Sequence, residues 1–247
     1  MKVERTDPPG RKRSGHWYKT DHANHEGKTL PSVTAITGIM DKPALVNAAV
    51  KLDVEAMAGL MDNGAWGDMP VEEIEASIKA AKSYHRNLWE SAAQEGTESH
   101  IIVAKILENQ SYEVPDSLPS IVTSFEMFTD SLGVINILGV EETVAHPTLD
   151  YAGTVDLIYE KDGVVHFADW KTGSIGYDEQ AAQLAGYALA YTSTRNFGPE
   201  FPRCEVVHLN KSGEPGFAVK EVNVENAVPM FLAAHALWNA TQKKVWL

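Results

Sequence analysis

The stretch Gly153–Gly173, GTVDLIYEKDGVVHFADWKTG, decides how this chain is built. Runs of β-branched and aromatic residues flank Lys161-Asp162-Gly163, and Asp-Gly between two such runs is a strong short-range hairpin signal. The reading is two antiparallel strands joined by a tight turn. In the second strand Asp169 and Lys171 are two apart, so the period of two puts both side chains on one face and Trp170 on the other. The hairpin would bring Asp156 beside Asp169. Two carboxylates and an ammonium then converge, and oxygen ligands of this kind suit Mg²⁺ or Mn²⁺. Asp156 also interrupts the apolar run Val155, Leu157, Ile158. Burying an unpaired carboxylate is costly, so a cation is expected beside it.

Working outward, NILGVEETVAHP (residues 136–147) precedes the hairpin as the first strand of a three-strand meander. YDEQAAQLAGYALAYTSTR (177–195) then reads as a helix, CEVVHLN (204–210) and FAVKEVNV (217–224) as two strands, and ENAVPMFLAAHALWNATQKK (225–244) as a closing helix. On the other side, LPSVTAITGIM (30–40) is a short helix capped by Ser32 or Thr34, followed by a helical pattern in KPALVNAAVKLDVEAMAGL (42–60). After the loop DNGAWGDMP (62–70) a long helix is expected over residues 71–95, interrupted at Gly96 and resumed from a Thr97 cap. IVTSFEMFTDSLG (121–133) is a further helical run. Helices, a meander, a helix, two strands and a helix define an α/β fold, a sheet sandwiched by helices in a single domain. Residues 1–30, broken by Pro8, Pro9, Gly10, Gly15 and Gly27, read as an irregular, flexible basic segment.

Of the 247 residues, 44% are hydrophobic and 22% charged, the mix of a folded globular protein. Cys204 is the one cysteine, which excludes an internal disulfide, a thiolate zinc site and a four-cysteine iron–sulfur cluster, and reads as a small buried hydrophobe. His22 and His25 have no further ligand pair at suitable spacing and read as loop residues. No apolar run has the length of a membrane span and the N-terminus lacks the apolar core of a secretory signal, so a cytoplasmic protein with no membrane partner is expected. The net charge of −13 opposes binding to nucleic acid, but residues 1–30 carry seven basic groups against four acidic ones, a net of +3. That segment can track a phosphate backbone.

His100, in EGTESHIIVAKILE, completes a wider pattern. Gly96-Thr97 with His100, Gly153–Ile158 around Asp156, Asp169–Thr172, and Gln183 with Tyr187 occur in the order of the RecB-like branch of the PD-(D/E)xK nucleases, and the chain resembles that branch from about Leu30 onward. The branch includes phage-encoded exonucleases, the CRISPR adaptation nuclease family and the mitochondrial genome maintenance exonuclease. The opening LPSVTAI, Leu30–Ile36, is similar to the start of the phage and mitochondrial members. The resemblance implies a restriction-endonuclease-like core, a central mixed β-sheet flanked by helices. Residues 31–247 would form one nuclease domain, with 31–95 a helical wall and 96–247 the catalytic core.

It further implies that His100, Asp156 and Asp169 are metal ligands, with the backbone carbonyl of Trp170 completing the set, and that Lys171 acts in catalysis together with Asp156 and Asp169. Gln183 and Tyr187, four apart on one helix face, would support the site or touch DNA, as would Ser32 and Thr34. The first strand offers Glu141 or Glu142 as an additional carboxylate, with Glu142 taken as the candidate. The CRISPR-type relatives commonly carry a four-cysteine cluster that Cys204 alone cannot build, so the match is to the phage-like, cluster-free members.

The implied activity is Mg²⁺- or Mn²⁺-dependent hydrolysis of DNA phosphodiesters from strand ends, in phage-type recombination, repair or degradation. A histidine among oxygen ligands favours Mn²⁺ over Mg²⁺. DNA is the expected partner, single- or double-stranded, with a recombination protein as a second one and the host cytoplasm as the location if the chain is phage-encoded. The alternatives are a noncatalytic nucleic-acid-binding scaffold and a structure-specific or site-specific endonuclease.

Overall fold

The computed structural model describes residues 2–6, 16–40, 43–62, 69–195 and 201–243. The described residues fall into two compact units, one within Met1–Met40 and Ser99–Leu247 and the other within Asp41–Glu98.

In the first unit five strands form the central sheet: β4 (Asn136–Ala145), β5 (Ala152–Lys161), β6 (Val164–Lys171), β7 (Arg203–Leu209) and β8 (Phe217–Glu221), in that spatial order. All neighbours are antiparallel except β6 and β7, which run parallel with Trp170 opposite Val207. A parallel pair cannot be closed by a tight turn, and helix α6 (Asp178–Thr194) makes the crossover. The β5–β6 turn is the expected hairpin: Lys161 pairs with Val164, and Asp162 and Gly163 both have positive φ, 53° and 77°. That is the backbone a two-residue turn of this kind requires, and Asp-Gly supplies it at low cost.

Both faces of the sheet are covered. Leu157, Tyr159, Ala168, Trp170 and Val207 are buried with Ile102 and Val103 of α4 (Tyr84–Leu107) and Phe125 and Phe128 of α5 (Ile121–Leu132). Phe125 and Phe128 each meet the Trp170 ring edge-on at 5.5 Å. On the other face Val155, Phe167, Cys204 and Val206 are buried with α1 (Val33–Thr37), α6 and α7 (Val224–Thr241). The architecture is therefore mixed α/β, a five-stranded mixed sheet flanked by helices. Cys204 is fully buried, as its reading as a small hydrophobe required.

The N-terminal segment departs from its reading as irregular. Its described residues form an antiparallel sheet of β1 (Val3–Thr6), β2 (Trp17–Thr20) and β3 (Leu30–Pro31). Tyr18 and Leu30 bury against Ala145 and Ala152, and Ser32 bridges to Ala152 at the start of β5. His25 ends a 3-10 turn, Ala23–His25, and is buried, with its ring between the Asp150 carboxylate (3.1 Å) and the His146 carbonyl (2.7 Å). The basic groups Arg11, Lys12 and Arg13, the breakers Pro8, Pro9, Gly10 and Gly15, and residues 63–68 of the loop before the long helix lie outside the described residues.

Gly96 does not interrupt its helix. α4 runs through it, and the Thr97 hydroxyl donates back to the Ala93 carbonyl at 3.0 Å instead of capping a new start. One glycine costs a helix interior about 1 kcal/mol, too little to break a helix of 24 residues. In the second unit α2 (Pro43–Asp62) and α3 (Val71–Ala81) are joined by the first turns of α4, where the Asp53 carboxylate accepts the backbone N–H of His85 at 3.0 Å and meets its Nδ1 at 2.8 Å. Among the described residues no helix is long and apolar enough to cross a membrane.

Candidate metal centre

The ladder between β5 and β6 runs from Lys161↔Val164 to Leu157↔Ala168 and stops there. One residue further on, Asp156 uses its side chain where a backbone partner would stand: Oδ2 accepts the N–H of Trp170 at 2.8 Å. The strands part at that point, and the chemistry gathers where they do. Asp156 Oδ1 faces His100 Nδ1 of α4 at 3.3 Å.

Across the sheet, Val140 pairs with Leu157 and Glu142 with Val155, so Glu141 between them stands level with Asp156. His100, Glu141 and Asp156 each offer one ligand atom, and these atoms lie within 4.8 Å of one another. Of the two adjacent glutamates, Glu141 and not Glu142 stands in this group. Glu142 lies against Gly139 and accepts from Arg195 at 3.4 Å. A shift of register between Ile137 and Gly139, and a φ of 48° at Glu141, present Glu141 instead.

Asp169 and Lys171 point the same way from β6, as their spacing required, and the Lys171 ammonium is ion-paired with Asp169 Oδ2. Asp169 stands outside the 4.8 Å cluster. Its other oxygen accepts from Gln183 Nε2 at 3.3 Å, and the same amide donates to the Tyr187 hydroxyl at 2.9 Å. Gln183 and Tyr187 thus hold Asp169 from α6. Trp170, expected to offer its carbonyl, enters through its N–H. Ser32 caps α1, accepting the Ala35 N–H at 2.9 Å, and meets the Thr34 hydroxyl at 2.8 Å. Both belong to the joint between β3 and α1.

The electrostatics describe an excess of carboxylate. Burial opposes charging His100, but the charge and hydrogen bond of Asp156 outweigh it and push the imidazole up to about 9. Asp156 has the same balance in mirror image: burial raises it, and His100 more than offsets this, holding it below the usual carboxylate range. Burial and then Asp156 push Glu141 up to about 7. Asp169 is raised as well, by burial first, with Lys171 opposing and Asp156 adding to the rise.

Three carboxylates thus compete for one ammonium and one imidazole. Asp169 Oδ2 is buried against the Lys171 ammonium. A donor set of one imidazole with two carboxylates within 4.8 Å of one another fits a hard or borderline divalent cation such as Mg²⁺ or Mn²⁺. The residues that would hold it are His100, Glu141 and Asp156, with Asp169 adjoining.

Compared with known proteins, the chain matches no family model and no curated protein.

Proposed function

We propose that the chain is a divalent-metal-dependent deoxyribonuclease with a restriction-endonuclease-like core of the PD-(D/E)xK type, acting from DNA ends. The observation that carries the reading is the meeting of His100, Glu141 and Asp156 within 4.8 Å where β5 and β6 part, with the Asp169–Lys171 pair beside them. A Mg²⁺ or Mn²⁺ ion held there supplies Lewis acidity toward a phosphodiester and the attacking water. The chain's own groups do the rest. Asp156 ties the two strands, so the ligands on β4, β5 and α4 keep one arrangement. Asp169, steadied by Gln183, orients the Lys171 ammonium, whose charge is available to position a water and to offset negative charge developing on phosphate. Tyr187 fixes the Gln183 amide. Binding near this cluster needs cations to offset the net charge of −13, which makes activity sensitive to salt.

The test is a digestion time course with end-labelled linear single- and double-stranded DNA and covalently closed circles, in Mn²⁺, Mg²⁺ and EDTA. Progressive loss of linear DNA, persistence of circles and arrest by EDTA are expected. Nicking of circles as the first event replaces the exonuclease with an endonuclease. Binding without cleavage in either metal assigns a noncatalytic scaffold.

A further inference from the structure

We propose that Arg5, on the N-terminal hairpin, is a phosphate-binding residue of this site, gripping the DNA strand whose phosphodiester lies at the His100–Glu141–Asp156 cluster; the inference rests on the nuclease reading. β1 and β2 pair antiparallel with Arg5 opposite Tyr18. Side chains of directly opposed residues leave a sheet on the same face. Tyr18 is buried, and its hydroxyl meets Thr154 Oγ1 at 2.9 Å, two residues before Asp156 on β5. Arg5 therefore leaves β1 toward the strands that carry the cluster.

A second contact sets its level. The Thr143 hydroxyl of β4 donates to the Val3 carbonyl at 3.2 Å, so β1 lies along β4. Arg5 is two residues beyond Val3, and Glu141 is two residues before Thr143. Consistent with that placement, the Arg5 charge is felt at Glu141, where it works against the rise that burial causes.

What holds Arg5 does not neutralise it. Its guanidinium meets the His16 ring, with Nη2 at 2.9 Å from Nε2, and burial, followed by Arg5 itself, lowers the His16 pKa, which favours an uncharged ring. Among the described residues no carboxylate lies within ion-pair distance of Arg5. Arg5 is exposed, and an exposed guanidinium with one edge steadied retains donors in the planar fork that matches two phosphate oxygens. In a chain with a net charge of −13, a cation that is oriented, uncancelled and level with the carboxylates is where a polyanion gains a hold.

The experiment compares wild type, Arg5→Gln and Arg5→Lys. Steady-state cleavage of labelled single-stranded DNA in Mn²⁺ is measured alongside fluorescence anisotropy of the same oligonucleotide in Ca²⁺ over a range of salt. Arg5→Gln is expected to raise KM about tenfold with little change in kcat, the scale of one charge-assisted hydrogen bond. It should flatten the slope of log affinity against log salt by about one. Arg5→Lys should restore the slope but only part of the affinity, because it lacks the fork. Mn²⁺ binding by calorimetry and thermal stability should stay at wild-type values. Wild-type KM and salt slope in Arg5→Gln, or loss of Mn²⁺ binding in that variant, overturn the inference. A wild-type protein that neither cleaves nor binds DNA overturns the nuclease reading and this inference together, and that result precedes any variant.

Discussion

The carboxylate of Asp156 accepts the Trp170 N–H at 2.8 Å with one oxygen and faces His100 at 3.3 Å with the other. One side chain is thus both the tie between two parting strands and a member of the candidate metal cluster, and substitution separates the two roles. Asp156→Asn keeps an acceptor for the amide. Asp156→Ala leaves a buried N–H unpaired, at a cost of about 1–3 kcal/mol. Both variants should lose Mn²⁺ binding and cleavage, while Asp156→Ala alone should also melt several degrees below Asp156→Asn. Equal melting temperatures for the two would show that the tie contributes nothing.

Glu141 and Glu142 are neighbours with different surroundings, so they make a matched pair. Glu141→Gln should weaken Mn²⁺ binding by about tenfold or more, since even groups one step removed from a metal affect affinity on that scale. Glu142→Gln removes only a partly exposed pair with Arg195 and should bind Mn²⁺ as wild type does. Isothermal titration of each variant decides the matter; the reverse ranking would take Glu141 out of the site.

Gly153 lies under Tyr187. A Cβ at this position would overlap Tyr187 Cε1 and stand 2.9 Å from Cδ1 and 3.3 Å from Val33 Cγ2. Gly153→Ala should therefore displace the Tyr187 ring, cost about 1–3 kcal/mol as overpacking, and lower kcat by loosening Gln183 and Asp169. Combining it with Tyr187→Ala should return part of the stability lost to the clash. Denaturant unfolding of the single and double variants measures both effects, and strict additivity would mean that the two positions do not meet.

The burial of His146 predicts an acid-sensitive contribution to stability away from the candidate metal cluster. Its Nδ1 accepts the N–H groups of Thr148 at 3.2 Å and Leu149 at 3.0 Å, and Nε2 meets the Ser193 hydroxyl, which itself donates to the Leu189 carbonyl. That pattern assigns the neutral ring with the proton on Nε2. Burial, with His235 and His25 adding to it, lowers this histidine from 6.5 to about 4. The unfolded chain then binds the extra proton first as pH falls, so the contribution is complete above about pH 6.5 and is lost through the descent toward pH 4. His16 and His235 shift in the same direction and act alongside it. Melting temperature against pH should be less steep over that window in His146→Gln than in wild type, and identical slopes would exclude the role.

The legible parts of this chain are those where local chemistry and long-range contacts agree. Asp162-Gly163 sets the β5–β6 turn whatever surrounds it, and from that turn the period of two delivers Asp169 and Lys171 to one face and Trp170 to the other. Glu141 was not separable from Glu142 because counting by two fails across the irregularity at Ile137–Gly139. Gly139, in a strand otherwise rich in β-branched residues and glutamates, was the available signal. The N-terminal sheet was hidden for another reason. Its strands are only two to four residues long, too short for propensity to mark, so pairing makes them. Gly96 misled in the opposite direction: a weak breaker lost to a helix buried along Ile102 and Val103.

Cys204 sits fully buried between the sheet and α6, with Sγ near the Leu184 carbonyl, and burial holds its thiol protonated far above the usual range. A thiol that neither ionises nor meets solvent reacts slowly with alkylating reagents. As it is the one cysteine in 247 residues, the native chain is a silent background for thiol chemistry. A cysteine placed on the β1–β2 hairpin would carry a spin label or fluorophore alone, with no native residue replaced to make room for it, and the hairpin's distance from Mn²⁺ could be read directly by paramagnetic broadening.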